Sequence, residues 1–473
     1  MGVFGKIRKA VSKLFRRNNI ESAFGVRIAV SSKMEQAMQL WSEMFEDHPP
    51  WKNEEKGDKT LNLPAAIASE IARLVTVEMQ SVVTGSARAD YINTQYQPVI
   101  DSARRFTEFA CAKGGVALKP YVAGDRVFVS VIQADDFYPT AFDSDGNVTA
   151  GVFTDYRYIE QYKYTRLEEH KMEGNTYTIT NKVFRLSVSN VTAANDNALG
   201  TSVSLTDVAD WAEINPVVTV KDVAKPLFSY FKMPFANHIE PRSPLGVSVY
   251  SKASELIREA DKQWSEILWE YEAGEAAIHA SSNLFRKDRY GNPILPKGRE
   301  RQFRTFEFDR DQKINPYHPA FRDNSLFNGL NRYIQKIEFL CGLAYGTISD
   351  PSTVDKTATE VKRSRQRSFS TVSDIQKALQ KALEHLIYAI DTLTTLYGLA
   401  PEGDYEVSFE FDDSIIVDRE VEFTRLMSMA AAQMIRPEKV VAWYFGVSEE
   451  EARKMLPDYT PERDNELPPT EEE

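Results

Sequence analysis

Six histidines are the first residues to test for chemistry: His48, His170, His238, His279, His318 and His385. An imidazole can act as general base or zinc ligand, but a helical zinc pair needs two histidines four apart, and none of these stand so. Asp135-Asp136 and Asp412-Asp413 could hold magnesium, yet isolated acidic pairs are ordinarily turn or edge residues. Asp143-Ser144-Asp145-Gly146-Asn147 looks superficially like a calcium loop. Its glycine is misplaced and the downstream glutamate is missing, so it reads as a turn. No glycine-rich turn ends in Gly-Lys-Ser or Gly-Lys-Thr, and there is neither a dinucleotide fingerprint nor a Gly-x-Ser-x-Gly elbow. Cys111 and Cys341 have no partner at metal-ligand spacing and imply no disulfide framework, which fits a reducing, intracellular site of synthesis. The expectation is a chain that is not an enzyme and needs no metal or cofactor.

Charge patterns are more informative. Lys356, Lys362, Arg363, Arg365 and Arg367 follow the Ser349–Asp355 loop, with Ser352, Thr353, Thr357 and Thr359 interspersed. A helix start and basic side chains both attract phosphates; a solvated basic helix start reads equally well. Glu255, Glu259, Glu266 and Glu270 line one face of a predicted helix, together with Lys262. The pairs Glu255/Glu259 and Glu266/Glu270 are like charges four apart, mildly destabilising in a helix. Such a face is either simply solvated or turned into a water-filled space. A third group, Arg286, Lys287, Arg289, Lys297, Arg299, Arg301 and Arg304, lies in a segment rich in proline.

The elements that must position these residues follow from periodicity. Helices are expected over 32–47, from Pro64 to Gly85 (carrying Ile67, Ile71, Leu74, Val75, Met79 and Val82) and from Ala87 to Lys113. The period then changes to two: 116–121 and 126–132 flank Ala123-Gly124-Asp125, and further strands fall at 151–165 and 175–187. Residues 25–240 therefore read as an α+β domain. The helical period returns from Ser251, with Ala253, Leu256, Ile257, Ala260, Trp264, Ile267, Leu268 and Tyr271 as one apolar stripe. Residues 283–318 interrupt it as a small β-rich projection. Helix resumes from Leu326 to Ala344, and Gly346–Thr353 is a loop. Thr357-Ala358-Thr359-Glu360 is a capping box opening a helix with no breaker before Gly398, about 40 residues and roughly 60 Å long. Its seam is Val372, Ile375, Leu379, Leu383, Leu386, Ile390, Leu393 and Tyr397. A strand at 405–411, a helix at 418–435, a short helix from Pro437 and one capped by Ser448-Glu449-Glu450-Glu451 complete the pattern; residues from Pro461 onward are acidic and read as disordered.

With 42% hydrophobic and 27% charged residues, sizeable cores are possible, and 473 residues suggest two to four domains. The net charge of −12 excludes a protein that grips DNA phosphates tightly, not one that merely surrounds DNA. No run of 18 apolar residues exists, so no membrane span is expected. Residues 2–17 are basic and amphipathic without the apolar core of a signal peptide, and read as a solvated or partner-docking helix.

Four stretches carry a family likeness: Ile28-Ala29-Val30-Ser31 leading to Met34, Ala37, Leu40-Trp41 and Trp51; Leu61-Asn62-Leu63-Pro64 with Ile67, Glu70-Ile71-Ala72 and Glu78; Pro244-Leu245-Gly246-Val247-Ser248; and Gly346 to Pro351 followed by Lys356-Thr357-Ala358-Thr359-Glu360-Val361 and Gln366-Arg367-Ser368. In these the chain resembles the portal proteins of tailed double-stranded DNA bacteriophages, most closely the siphophage type. The resemblance covers nearly the whole chain, and it implies a mainly helical, multi-domain α+β portal fold with wing, stem, clip and crown and a long strut helix. Carried over by segment, 1–24 is a basic arm, 25–247 the wing, and 248–280 and 321–346 the stem helices. Residues 281–320 form the clip, 347–358 a tunnel loop, 359–399 the long wing helix, 400–415 a wing strand, 416–458 the crown and 459–473 an acidic tail.

The implied function is a ring of about twelve subunits at one capsid vertex, the head-tail connector through which double-stranded DNA is packaged and ejected. Twelve such charges give on the order of −140, a repulsive bore in which DNA can slide. The implied partners are double-stranded DNA, a packaging ATPase (terminase), a head-tail adaptor, and major capsid and scaffolding proteins, with no membrane. The implied location is the virion, after synthesis in the bacterial host cytoplasm. The tunnel loop would present Ser349, Ser352, Thr353 and Lys356, the stem its four glutamates, and the clip Arg299, Arg301 and Arg304 for docking. The stretch Lys362, Arg363, Arg365 and Arg367 carries no role in the resemblance. Two other readings are another head-assembly protein and a metal-dependent DNA-processing enzyme. The uninterrupted helix and the clip-like insertion count against the first, and the lack of clustered carboxylates against the second.

Overall fold

The computed structural model describes residues 17–53, 55, 57–188, 198–273, 277–281, 286–290, 294, 303–306, 314–317, 322–351, 358–411 and 419–456. Within this, 273, 277–281, 303–306, 314–317, 358–365 and 419–422 are described by backbone alone. The chain divides into two compact units, Met1–Phe411 and Asp412–Glu473. The fold is α+β.

The first unit opens with helical turns over 17–24, then α1 (Ser32–Phe45), whose first turn is capped by the Ser31 hydroxyl accepting from Met34 N–H. Helix α2 (Leu63–Thr76) has Pro64 in its first turn, where the missing N–H costs nothing. It stops short of the expected Gly85. Glu78 adopts a positive φ of 53°, and Met79 and Val82 lie outside the helix. Val82 belongs to β1 (Gln80–Thr84), which pairs antiparallel with β14 (Glu406–Glu410). The β-branched Val82-Val83-Thr84 run suits that strand, and its partner lies too far along the chain to be read locally.

The expected helix over Ala87–Lys113 is two, α3 (Ala87–Asp101) and α4 (Ala103–Lys113), broken at Ser102 four residues after Pro98. Strands β2 (Gly115–Ala123) and β3 (Arg126–Gln133) form the expected hairpin, and β10 (Ser229–Lys232) adds to β2. A second sheet runs β4 (Phe137–Phe142), β5 (Val148–Ile159), β6 (Tyr162–Glu173), β7 (Thr176–Ser187) and β8 (Thr201–Val203), with β9 (Val217–Val220) on β7. The single strand expected at 151–165 is thus split by a tight turn at Glu160, whose φ is 52°. The Asp143 segment is the expected turn: Asp143 Oδ1 accepts from the N–H groups of Asp145 and Asn147, at 2.9 and 2.8 Å.

Helix α5 (Ser254–Ala273) leads to β11 (Ala277–Ser281), which pairs parallel with β12 (Phe303–Phe306) and antiparallel with β13 (Ile314–Tyr317). Helix α6 (Asp323–Cys341) returns alongside α5 and ends on Gly342 in the left-handed region. Helix α7 (Ala358–Leu396) is 39 residues long. The capping box expected at 357–360 lies outside the described side chains. Seven seam residues, from Val372 to Leu393, are buried, each contributing roughly 1.5–3 kcal/mol. Tyr397 is not among them: it follows the helix end and is 62% exposed.

Polar ties fix α7 to both sheets and helices. The Ser229 hydroxyl donates to Ala382 O at 2.6 Å, Gln376 reaches Val75 O, and the buried Arg88 binds Asp391, Thr395 and Ala400 O. The second unit contains α8 (Arg419–Ala431), α9 (Pro437–Phe445) and α10 (Glu449–Met455). Ser448 and Glu451 form the expected capping box of α10.

Gly246, from the stretch Pro244–Ser248, has a steric reason. A Cβ there would lie 2.1 Å from Gly114 O, and one at Gly114 would lie 2.6 Å from Gly246 O. Two backbones cross where neither side tolerates a side chain. Gly246→Ala is expected to destabilise the first unit by about 3 kcal/mol, seen as a lowered thermal midpoint; an unchanged midpoint would contradict the crossing.

Candidate functional site

Three groups of charged residues stand on or beside the helix pair α5/α6. Along α5, Glu255 is 79% and Glu266 58% exposed, and Glu259 is 41% exposed. Arg258 bridges both Glu255 (2.8 Å) and Glu259 (3.2 Å), which offsets the like-charge repulsion expected between them. Glu270 departs from the stripe. Its carboxylate takes a bidentate grip from Arg322 at the start of α6 (2.7 and 3.1 Å), which holds it below the usual carboxylate range, and its side chain is only 20% exposed. The opposite face buries Ala253, Ile257, Ala260 and Ile267 of the expected stripe, while Leu256, Trp264 and Leu268 are half-buried and Tyr271 is 40% exposed.

Asp261, which the sequence reading passed over, is 4% exposed on that buried side. It accepts from Trp51 Nε1 and Leu61 N–H, both at 2.9 Å. Burial raises its pKa, and those two bonds pull the other way. It ties α5 to the chain around Trp51.

The α6–α7 loop is rooted rather than free. Glu338 is fully buried, and its Oε1 accepts from Ile348 N–H (2.6 Å) and Ser349 N–H (2.9 Å). Its Oε2 accepts from the Ser349 hydroxyl (2.8 Å) and Gly346 N–H (3.2 Å). Asn331, seven residues earlier on the same face, exchanges two bonds with the Asp350 backbone. This corrects the expectation for Ser349: it is 4% exposed and its hydroxyl is committed to Glu338, so it presents nothing to a ligand. Ser352, Thr353 and Lys356 lie outside the described residues.

The basic stretch divides as well. Lys362, Arg363 and Arg365 lie on α7, where only the backbone is described. Arg367 stacks on two rings, 4.2 Å from the Phe339 centroid and 5.9 Å from that of Tyr345. Its Nη1 is buried. Arg367 therefore packs α7 onto the end of α6 instead of standing in solvent. In the projection, Arg304 is on β12 by backbone, and Arg299 and Arg301 lie outside the described residues.

Glu338 and Asn331 escaped notice because single polar residues in an amphipathic helix read as its solvated face. The available signal was their position: Leu330, Ile337 and Cys341 put that face inside.

Neither thiol offers a nucleophile. Cys111 and Cys341 are buried, and burial pushes both thiols up. Among the described residues no group of three His, Cys, Asp or Glu is placed to hold a metal, and no helix is long and apolar enough to cross a membrane.

The family model for phage portal proteins, SPP1 Gp6-like, matches residues 60–458. The chain belongs to the phage portal protein family. Its role is that of a structural component of a phage particle. The match spans both units, from before α2 to beyond α10. A solved structure of the neck of a native GTA particle, computed with C12 symmetry, is similar to this portal protein at 12% identity, with a TM-score of 0.40 over 86% of this chain and 92% of that one. No curated protein sequence matches.

Proposed function

We propose that this chain is one subunit of a ring that forms the portal, the head-tail connector, at a capsid vertex. Double-stranded DNA passes through its bore during packaging and ejection. The observation that carries this reading is the family match over residues 60–458, which includes the helix pair, the rooted loop and the long helix in one continuous span. On the exposed face of α5, Glu255, Glu259 and Glu266 outnumber the Arg258 and Lys262 paired with them, and this excess of negative charge supports a bore that repels phosphates, because DNA must slide rather than stick. Trp269 and Phe327 are 66% and 41% exposed on the same helix pair, which supports coverage by neighbouring subunits. On this reading the stem is α5 and α6, the first stem helix ending before β11 at Ala277 instead of running to 280 as the sequence suggests, 347–358 is the tunnel loop with Ser352, Thr353 and Lys356 toward DNA, and 416–458 is the crown.

The three-stranded β11–β13 sheet belongs to the clip, and Arg299, Arg301 and Arg304 of the 281–320 segment dock the packaging ATPase or an adaptor. Head assembly with the triple variant R299E/R301E/R304E tests this. Rings are expected to form and the mass of nuclease-protected DNA per head to fall to background. DNA-filled heads at the wild-type level would remove the clip from docking.

A further inference from the structure

We infer that Glu338 is the positioning residue of the α6–α7 loop, a buried carboxylate that fixes the loop's root from Gly346 to Asp350. The inference rests on the portal reading for what the loop touches, but not for the latch itself. The geometry is specific. One carboxylate gathers four donors, and among the described residues all of them come from a four-residue span: Gly346 N–H, Ile348 N–H, Ser349 N–H and the Ser349 hydroxyl. Three convergent N–H groups make a small anion-binding nest, and here the anion is supplied by the neighbouring helix. Gly346 sits at a φ of 84°, a conformation open to glycine, which lets its N–H turn inward. The Gly346 N–H also reaches the Ser349 hydroxyl at 3.1 Å, closing the nest on itself.

The root is braced from two further sides. Asn331 holds Asp350 by both its backbone groups, at 2.9 and 3.1 Å. From α7, Arg367 stacks on Phe339 and Tyr345, one residue beyond and seven residues after Glu338. Gly342 brings the end of α6 so close to α7 that a Cβ there would lie 2.4 Å from Thr371 Oγ1. The end of α6, the loop root and the third and fourth turns of α7 therefore pack into one corner, in which Glu338 binds the loop through both carboxylate oxygens. A free carboxylate in a dry corner is costly, so the loop amides and Glu338 stabilise each other: release of either strands the other.

The role differs from plain packing in what it controls. Removing a packing residue loosens the whole corner, whereas removing the carboxylate strands only the loop donors. Glu338→Gln keeps the size and one acceptor oxygen, but turns the other acceptor into a donor facing Gly346 N–H. Glu338→Asp keeps both acceptors on a shorter stem.

Hydrogen exchange on assembled wild-type, E338Q and E338D protein, with DNA retention measured on the same preparations, tests the inference. In E338Q the amides of Gly346, Ile348 and Ser349 are expected to exchange on the order of tenfold faster or more, while those of α6 before Ile337 keep their rates. DNA retention is expected to fall with them, and E338D to restore part of both. Unchanged loop exchange in E338Q overturns the latch and leaves the portal reading intact. Faster loop exchange with wild-type DNA retention overturns the positioning role. Failure of the wild-type chain itself to form rings is the separate result that counts against the portal reading.

Discussion

Glu168→Ala is expected to lower the stability of the first unit by about 3–5 kcal/mol, a fall in thermal midpoint of roughly 4–6 °C for a unit of this size. Glu168 stands on β6 with its side chain 13% exposed, bridged to Lys119 at 2.6 Å and Arg166 at 3.2 Å. It also accepts from His170 Nε2 at 2.7 Å, while His170 Nδ1 takes the Tyr177 hydroxyl at 2.6 Å. Burial would raise the Glu168 pKa, but Lys119, His170 and Arg166 outweigh it and hold it well below the usual carboxylate range. Removing it leaves two largely buried cations without their shared anion, the most costly way to break an ion network. An unchanged midpoint would refute that account.

The same cluster sets a pH dependence. Burial lowers the His170 pKa below its ordinary 6.5, only partly opposed by Glu168. The unfolded chain then binds more protons as pH falls below 6.5, so the stability that neutral His170 contributes is full above that value and is lost toward its lower folded pKa. Glu168, also depressed, contributes stability above its unfolded value near 4.5 and loses it further down. Both trends destabilise in acid, His170 first. The fall in midpoint between pH 7 and 5 should be shallower in His170→Gln.

The second large effect concerns DNA. On the proposed portal reading, the triple variant E255K/E259K/E266K should convert a repelling bore into an adhesive one. Glu270 is left out because Arg322 grips it and its side chain is only 20% exposed, whereas the other three stay more exposed despite their pairing with Arg258 and Lys262. Adhesion through about six phosphates would weaken on the order of 10³-fold between 50 and 200 mM salt, the signature of counterion release. Packaging should stall at low salt and recover at high salt. Wild-type translocation by the variant at every salt concentration would place the α5 face elsewhere.

These side chains show what was legible in the sequence. Long, strongly periodic elements were: α7 ends at Leu396, two residues before Gly398 takes its positive φ, and Ser448 and Glu451 announce α10. Local punctuation was missed where it was subtle. Pro98 precedes a break at Ser102, and Glu160 makes a tight turn without glycine. What the sequence hid was non-local. Val82 reads as helix until β14 arrives from more than three hundred residues away, at Ser408. Ser349 reads as an exposed hydroxyl until Glu338 takes it. The acidic stripe was legible as a face, but its end at Glu270 was set by Arg322 across the interrupting segment. Tertiary partners decide such residues, and periodicity carries no signal of them.

The central claim is that copies of this chain close into a ring around duplex DNA. Electron microscopy of the purified protein, alone and on DNA-filled heads, tests it most directly. The account predicts closed rings with a central hole, found at one vertex with DNA density on the axis. Compact particles without a hole, or a ring lying away from the DNA axis, would contradict it.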